Sequence, residues 1–284
     1  MAHSTQPIPF LLYHSISDSA TPGFRPWAVA PARFDEHIAF LRESGYTPLT
    51  VTETIRVFDG AAPLPEKPVV VTFDDGFADF ADHAVPVLMR YAFKATLYIC
   101  TGHVGGTSRW LADQGEGNRR MLSWEQVEAL PDAGVECGAH TVTHPQLDTL
   151  RLDAARQEIQ RSRCTLEDRL GRRVESFAYP HGYHGPRVRA LVPAAGYTSA
   201  CAVKHAMSSS GDDRFALARI IVHADTDVAR LSRLLAGEGL RQTRSRERLA
   251  TVGWRVARRS LTEGKSVVRR SKRRPEPQAM SHQQ

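Results

Sequence analysis

No apolar run in this chain of 284 residues approaches the roughly 18 residues that a bilayer span requires. Cysteine is scarce. Cys100, Cys137, Cys164 and Cys201 form no C-x-x-C pair, which argues against a structural zinc site built on thiolates. Reduced, mostly buried thiols are expected instead. The opening Met1-Ala2-His3-Ser4-Thr5-Gln6-Pro7 holds no basic stretch leading into a long apolar one. No cleaved secretory signal is therefore expected, and the expected compartment is the cytoplasm. There is no internal repeat. Glycine (20) and proline (17) are ordinary, with 42% hydrophobic and 24% charged residues. Those proportions exclude collagen-like, coiled-coil and wholly disordered chains. The length suits either two domains or one large α/β barrel, and it suffices for a core without covalent staples.

Charge is unevenly spread. Residues 241–284 carry 13 Lys/Arg against three Glu, a net +10, while the rest carries 24 basic and 28 acidic groups, a net −4. The expected division is a folded body over 1–240 and a basic, partly helical or disordered tail over 241–284. Each basic group near an anionic membrane surface is worth about 1 kcal/mol. Leu249, Val252, Val256 and Leu261 would add a weak apolar stripe. Docking at the inner membrane face is the functional reading of the tail, and a solubilising appendage is the plain one. Nucleic acid is not expected as a partner, since no aromatic or motif signal accompanies the charge.

Within the body, short apolar runs alternate with amphipathic stretches. Strands are expected over 8–13, 69–73, 95–100, 134–139, 177–179, 197–203 and 217–222. Their continuous apolar character suits strands covered on both faces, as in parallel sheets. Helices are expected over 31–44, 79–91 with a kink at Pro86, from Ser123 as N-cap, over 152–170 with Gly171 as C-cap, and over 187–195 and 228–235. Seven strands alternating with helices favour an α/β barrel or a doubly wound sheet. Residues 101–122 hold five glycines and few apolar residues, and read as a long loop over one end.

Four segments carry chemistry. Val69-Val70-Val71-Thr72-Phe73 runs into Asp74-Asp75-Gly76, placing two carboxylates where the loops after barrel strands build active sites. A turn or N-cap is the plain alternative. His140-Thr141-Val142-Thr143-His144-Pro145 sets two imidazoles four residues apart, on one helical face or converging from a tight loop. With a carboxylate they suit Zn²⁺ and similar ions, and a surface pair is the alternative. Phe177-Ala178-Tyr179-Pro180-His181-Gly182 again ends a strand in a rigid turn, as a wall, an oxyanion donor or simply a turn. Leu12-Tyr13-His14-Ser15-Ile16 places a histidine after the first strand, as a general acid or a satisfied core group.

Together and in this order, the segments resemble the polysaccharide deacetylase family (the NodB-homology domain, carbohydrate esterase family 4) over residues 8–225. Thr72-Phe73-Asp74-Asp75-Gly76 resembles its first motif and His140 to Pro145 its second. Phe177-Ala178-Tyr179-Pro180-x-Gly182 resembles the third, without its arginine. The resemblance implies a deformed (β/α)7 barrel and a divalent metal on Asp75, His140 and His144. Zn²⁺ is the first choice, and Co²⁺ or Ni²⁺ fit similar donors. It makes Asp74 the general base and the Tyr179 backbone N–H an oxyanion donor. Leu12 to Ile16 resembles the subgroup of poly-N-acetylglucosamine deacetylases, whose Tyr-His element supplies the acid. His14 is accordingly preferred over His223, which stands in a Leu-x-His-like Ile221-Val222-His223, with His181 a third candidate. The missing arginine leaves open what orients Asp74. Trp110, Tyr179, Pro180, His181 and His223 are the expected substrate contacts, while Trp124 is expected in the core. The implied activity removes N-acetyl groups from a sugar in a polysaccharide, an oligosaccharide or a lipid-linked precursor. The alternatives are a deformylase-like hydrolase of another C–N bond and an inactive glycan-binding protein.

Overall fold

The computed structural model describes residues 6–241. The basic tail over 242–284, with the membrane-docking stripe expected there, lies outside the described residues. Ten strands follow in chain order: β1 (Phe10–Tyr13), β2 (Ser15–Ile16), β3 (Ala28–Val29), β4 (Thr47–Leu49), β5 (Pro68–Phe73), β6 (Ala95–Ile99), β7 (Val135–Ala139), β8 (Ser176–Ala178), β9 (Ser199–Cys201) and β10 (Ile220–Ile221). Seven α-helices connect them: α1 (Pro31–Glu43), α2 (Val51–Phe58), α3 (Val85–Arg90), α4 (Trp124–Ala129), α5 (Leu152–Leu170), α6 (Pro186–Ala194) and α7 (Val228–Leu235).

The main sheet runs β10-β1-β5-β6-β7-β8-β9, with β4 added beside the start of β5. Every pairing in it is parallel, from Leu11 opposite Ile220 at one end to Cys201 opposite Ala178 at the other. The sheet is curled, and among the described residues only the bridge of Cys201 with Leu217 continues it between β9 and β10. This is the deformed (β/α)7 barrel that the family resemblance implies, and it decides against the doubly wound sheet. Alternation along the strands divides the core. Leu11, Tyr13, Val69, Val71 and Phe73 join the cluster under the helices, while Phe10, Val70, Tyr98 and Cys201 meet inside the barrel. Among the described residues no helix is long and apolar enough to cross a membrane.

The expected helices recur with their caps. Ser123 accepts from the Gln126 N–H in a reciprocal capping box, and Gly171 closes α5 at φ 62°. The segment 79–91 divides at its proline. A π-type turn over Phe80–Ala84 leads into α3, whose first turn takes Pro86 where its missing N–H is not needed. Residues 47–58, to which the sequence reading assigns no element, form β4 and α2. Strand β4 is short, contains Pro48 and is no more than half-buried, so it lacks an apolar run. A capping box of Thr50 with Glu53 starts α2, which plugs the floor of the barrel with Val51 and Ile55. Cys100, Cys137 and Cys201 are buried free thiols, while Cys164 faces solvent.

His37 on α1 ties the first strand to the approach of α7. Its Nε2–H donates to the Thr226 carbonyl at 2.9 Å, so Nδ1 is the acceptor of the Tyr13 hydroxyl at 3.0 Å. Burial pushes its pKa down to about 4, against the carbonyl's opposing pull. Folding therefore favours the neutral ring, and this contribution is complete above the unfolded pKa of about 6.5 and lost as pH falls towards 4. Unfolding titrations across that window should show His37→Asn with a shallower dependence than the wild type, by about 1.4 kcal/mol per pH unit.

Candidate active site

The site is built at the carboxyl ends of the strands. Strand β5 ends at Phe73, and the Asp74 N–H still donates to the Tyr13 carbonyl at 3.1 Å. Asp75 then turns to φ 79° and Gly76 to φ 87°, which points two consecutive carboxylates into the mouth. Both are almost fully buried. Asp74 is gripped on both oxygens by Arg219, Nη1 to Oδ1 at 2.6 Å and Nη2 to Oδ2 at 2.7 Å. Arg219 has no exposed surface, and its Nε–H donates to the Ala202 carbonyl at 3.1 Å. Burial alone would raise the Asp74 pKa, but Arg219, with His140 beside it, holds the carboxyl below the usual range.

The two histidines leave β7 in a tight loop, not a helix. His140 Nδ1–H donates to the Ala178 carbonyl at 2.8 Å, which leaves the Nε2 lone pair facing Asp75 Oδ1 at 3.5 Å. His144 Nε2 stands 3.2 Å from the same oxygen. Left-handed Thr141 (φ 69°) and His144 (φ 59°) bend the chain back, and the Thr141 hydroxyl accepts the His144 N–H at 3.0 Å. Glu158 on α5 holds the bend from below. One oxygen accepts the Val142 and Thr143 N–H groups at 2.8 and 2.9 Å, and the other accepts the Thr143 hydroxyl at 2.7 Å.

Asp75 Oδ1 is buried and, among the described residues, makes no well-formed hydrogen bond. An anionic oxygen left so beside two imidazole nitrogens fits a divalent cation, with Asp75, His140 and His144 as donors. Cys100 also lies within 4.8 Å of the Asp75 and His144 donor atoms. Its thiol donates to the His140 carbonyl, and burial pushes its pKa well up.

A cavity of about 320 Å³ opens on these groups. It lies near the lower end of the roughly 300–1,000 Å³ typical of small-molecule pockets. His14, His181 and Trp110 line it with the carboxylates and His140 and His144. Trp110 lies 4.9 Å from the His144 ring, and His181 lies 4.7 Å from it on a left-handed backbone of φ 58°. His14 reaches in after β1, its Nδ1 buried without a partner among the described residues. Burial lowers its pKa, while Asp75 and Asp74 pull the other way.

Three expectations are corrected. The Tyr179 N–H is no oxyanion donor, because it continues the parallel ladder to the Cys201 carbonyl at 3.1 Å. The Tyr179 ring is buried, and its hydroxyl donates to the Phe215 carbonyl at 2.9 Å, while Pro180 beside it is buried away from the cavity lining. His223 is also outside that lining, behind Trp27, whose ring lies 5.1 Å from it and 5.0 Å from His14. Trp124 packs against the core under Arg169, as expected. Arg219, Trp27 and Phe24 were missed. The one available signal was a charge inside the apolar run 217–222.

Residues 61–200 match the family model for polysaccharide deacetylase. A poly-β-1,6-N-acetyl-D-glucosamine N-deacetylase of Staphylococcus epidermidis is 26% identical over 176 residues, covering 58% of this chain and 57% of that protein. Among solved structures, the Streptococcus pyogenes deacetylase PplD in complex with acetate superposes with a TM-score of 0.71 at 25% identity, over 82% of this chain and 99% of that one. A polysaccharide deacetylase of Bacillus cereus, BC0361, gives 0.69 at 26%, over 81% and 69%. The barrel is thus the one that these deacetylases share. The chain belongs to the polysaccharide deacetylase family, of the NodB type.

Two substitutions test the supports of the site. Arg219→Met should leave Asp74 as an uncompensated buried charge and cost about 3–5 kcal/mol in urea unfolding at neutral pH. Glu158→Ala should weaken binding of a divalent cation to the metal-free protein by about 10–100-fold in titration calorimetry.

Proposed function

We propose that this protein is a metal-dependent N-deacetylase acting on an N-acetylated glycan, with poly-N-acetylglucosamine and lipid-linked N-acetyl sugars as the first substrates to try. The observation that carries this reading is an ionised carboxylate, Asp74, clamped by a buried arginine beside the Asp75, His140 and His144 donors on a small cavity. A glycan-binding protein has no use for a base held there, and its burial is costly. Asp75, His140 and His144 would hold a divalent ion, Zn²⁺ first, with Co²⁺ or Ni²⁺ also suited. Such an ion acidifies a water, polarises the amide carbonyl and carries oxyanion charge.

The remaining work falls to the chain itself. Asp74 accepts the proton of the attacking water, and Arg219 keeps it oriented and ionised between turnovers. The water oxygen bonds to the acyl carbon, and the C–N bond then breaks. His14 donates a proton to the departing nitrogen, which leaves as the free amine; the acid product ionises to acetate, and of its proton and the one held by Asp74, one restores His14 and the other passes to solvent. Burial lowers the His14 pKa on balance, and the adjacent carboxylates offset part of that effect. Trp110 and His181 wall the cavity, where an apolar sugar face can stack.

Asp74→Asn should retain its metal but release acetate from N-acetylglucosamine oligomers about 10²–10⁴-fold more slowly than the wild type. Metal in both proteins and acetate from neither would overturn the deacetylase reading and favour another acyl group or a binding role.

A further inference from the structure

Two irregular segments make most of the aromatic wall. Phe24 and Trp27 come from the turn before β3, and Trp110 comes from the glycine-rich stretch before α4. Neither belongs to the sheet, so their positions depend on what ties them down. That tie is Arg119.

The Arg119 side chain is only 11% exposed and engages all three of its nitrogens. Its Nε–H donates to Glu116 at 3.1 Å, Nη1 to Asp79 at 3.0 Å and the Ser15 hydroxyl at 3.1 Å, and Nη2 to the Ser19 carbonyl at 2.7 Å. The guanidinium lies 5.0 Å from the Phe24 ring centre and 5.7 Å from that of Phe77. Glu116 extends the tie by accepting the Thr21 N–H at 2.5 Å, and the Thr21 hydroxyl donates to the Gln114 carbonyl at 2.7 Å. Asp79 follows Asp75 by four residues and also accepts the Ile16 N–H at 3.1 Å. One cation thus joins the chain after His14, the loop of Trp110 and the segment that follows the paired carboxylates. Surface ion pairs contribute little, but a desolvated planar fork with this many partners fixes geometry.

We propose that Arg119 is a positioning residue for glycan binding. It sets the Phe24–Trp27 and Trp110 walls at a fixed separation, so that the cavity meets the sugar ring preformed. This rests on the glycan reading above. Arg119 touches none of the reacting groups, and its effect therefore falls on sugar affinity more than on acyl hydrolysis.

The test compares wild type with Arg119→Met, which keeps an apolar stem against Phe24 and Phe77. Each is assayed with an N-acetylglucosamine oligomer and with 4-nitrophenyl acetate, a small acetyl ester that lacks the sugar. Calorimetric affinity for the oligomer is measured alongside. The expected result is a KM and a Kd for the oligomer raised about tenfold, with kcat within about threefold and ester hydrolysis kept. Parallel losses on both substrates, or no change on either, would overturn the proposal. If Arg119→Met does not fold, Glu116→Gln and Trp27→Leu take its place, and unchanged oligomer affinity in both overturns it equally. Wild type that binds oligomer without releasing acetate would refute the deacetylase reading alone, since affinity still decides the role of Arg119. Wild type that neither binds nor hydrolyses the oligomer would end both.

Discussion

The buried pair of Asp74 and Arg219 is the contact on which the mouth of this barrel depends. An ionised carboxylate at the end of β5 would be expelled from an apolar core, or protonated in it, without a cation of matching shape. Arg219 supplies a planar fork to both oxygens and is itself held by a carbonyl of the segment after β9. The pair therefore also couples the first half of the sheet to its last strands, across a seam that β-pairing bridges only sparsely. Desolvation makes such a pair a poor source of net stability. What it provides here is one charge state and one orientation for Asp74.

Much of this architecture is legible in the sequence. Apolar runs located seven of the eight strands of the main sheet to within a few residues, because strands covered on both faces are dominated by apolar side chains. Adjacent carboxylates and paired histidines at strand ends marked the site, since such groups seldom follow apolar runs without a partner. The Asp74–Arg219 pairing was illegible, because its members stand 145 residues apart and nothing local to either names the other. The error at Tyr179 has a similar origin. Its N–H looked available in a turn, but the ladder of β8 with β9 extends one residue further and takes it. Trp27 was missed for want of any motif. It acquires a role only when an irregular turn lays it between His14 and His223.

Labour is divided between loops and regular elements throughout the site. The chemically active side chains sit on bends, whereas their stays come from elsewhere: Glu158 from a helix, the Ala178 carbonyl from a strand, Arg219 from the step into the last strand. A short bend cannot hold an imidazole within a fraction of an ångström by itself. A carboxylate on a long helix can, through three hydrogen bonds to one loop. Catalytic tolerances of this order need such second supports.

Among the described residues, six that are not glycine have positive φ, and four of them are Asp75, Thr141, His144 and His181. Each left-handed residue with a β-carbon costs roughly 1–3 kcal/mol that the surrounding structure must offset. Replacement by glycine would relieve that cost at all six, so selection for heat resistance alone would act on these four as readily as on Ala92 and His205. A gain at Asp75, His144 or His181 would remove a group from the mouth of the barrel, and one at Thr141 would remove the hydroxyl that holds the His144 N–H. Directed evolution of this fold for thermostability has to score turnover in the same round, or it will drift towards a sturdier and inert protein.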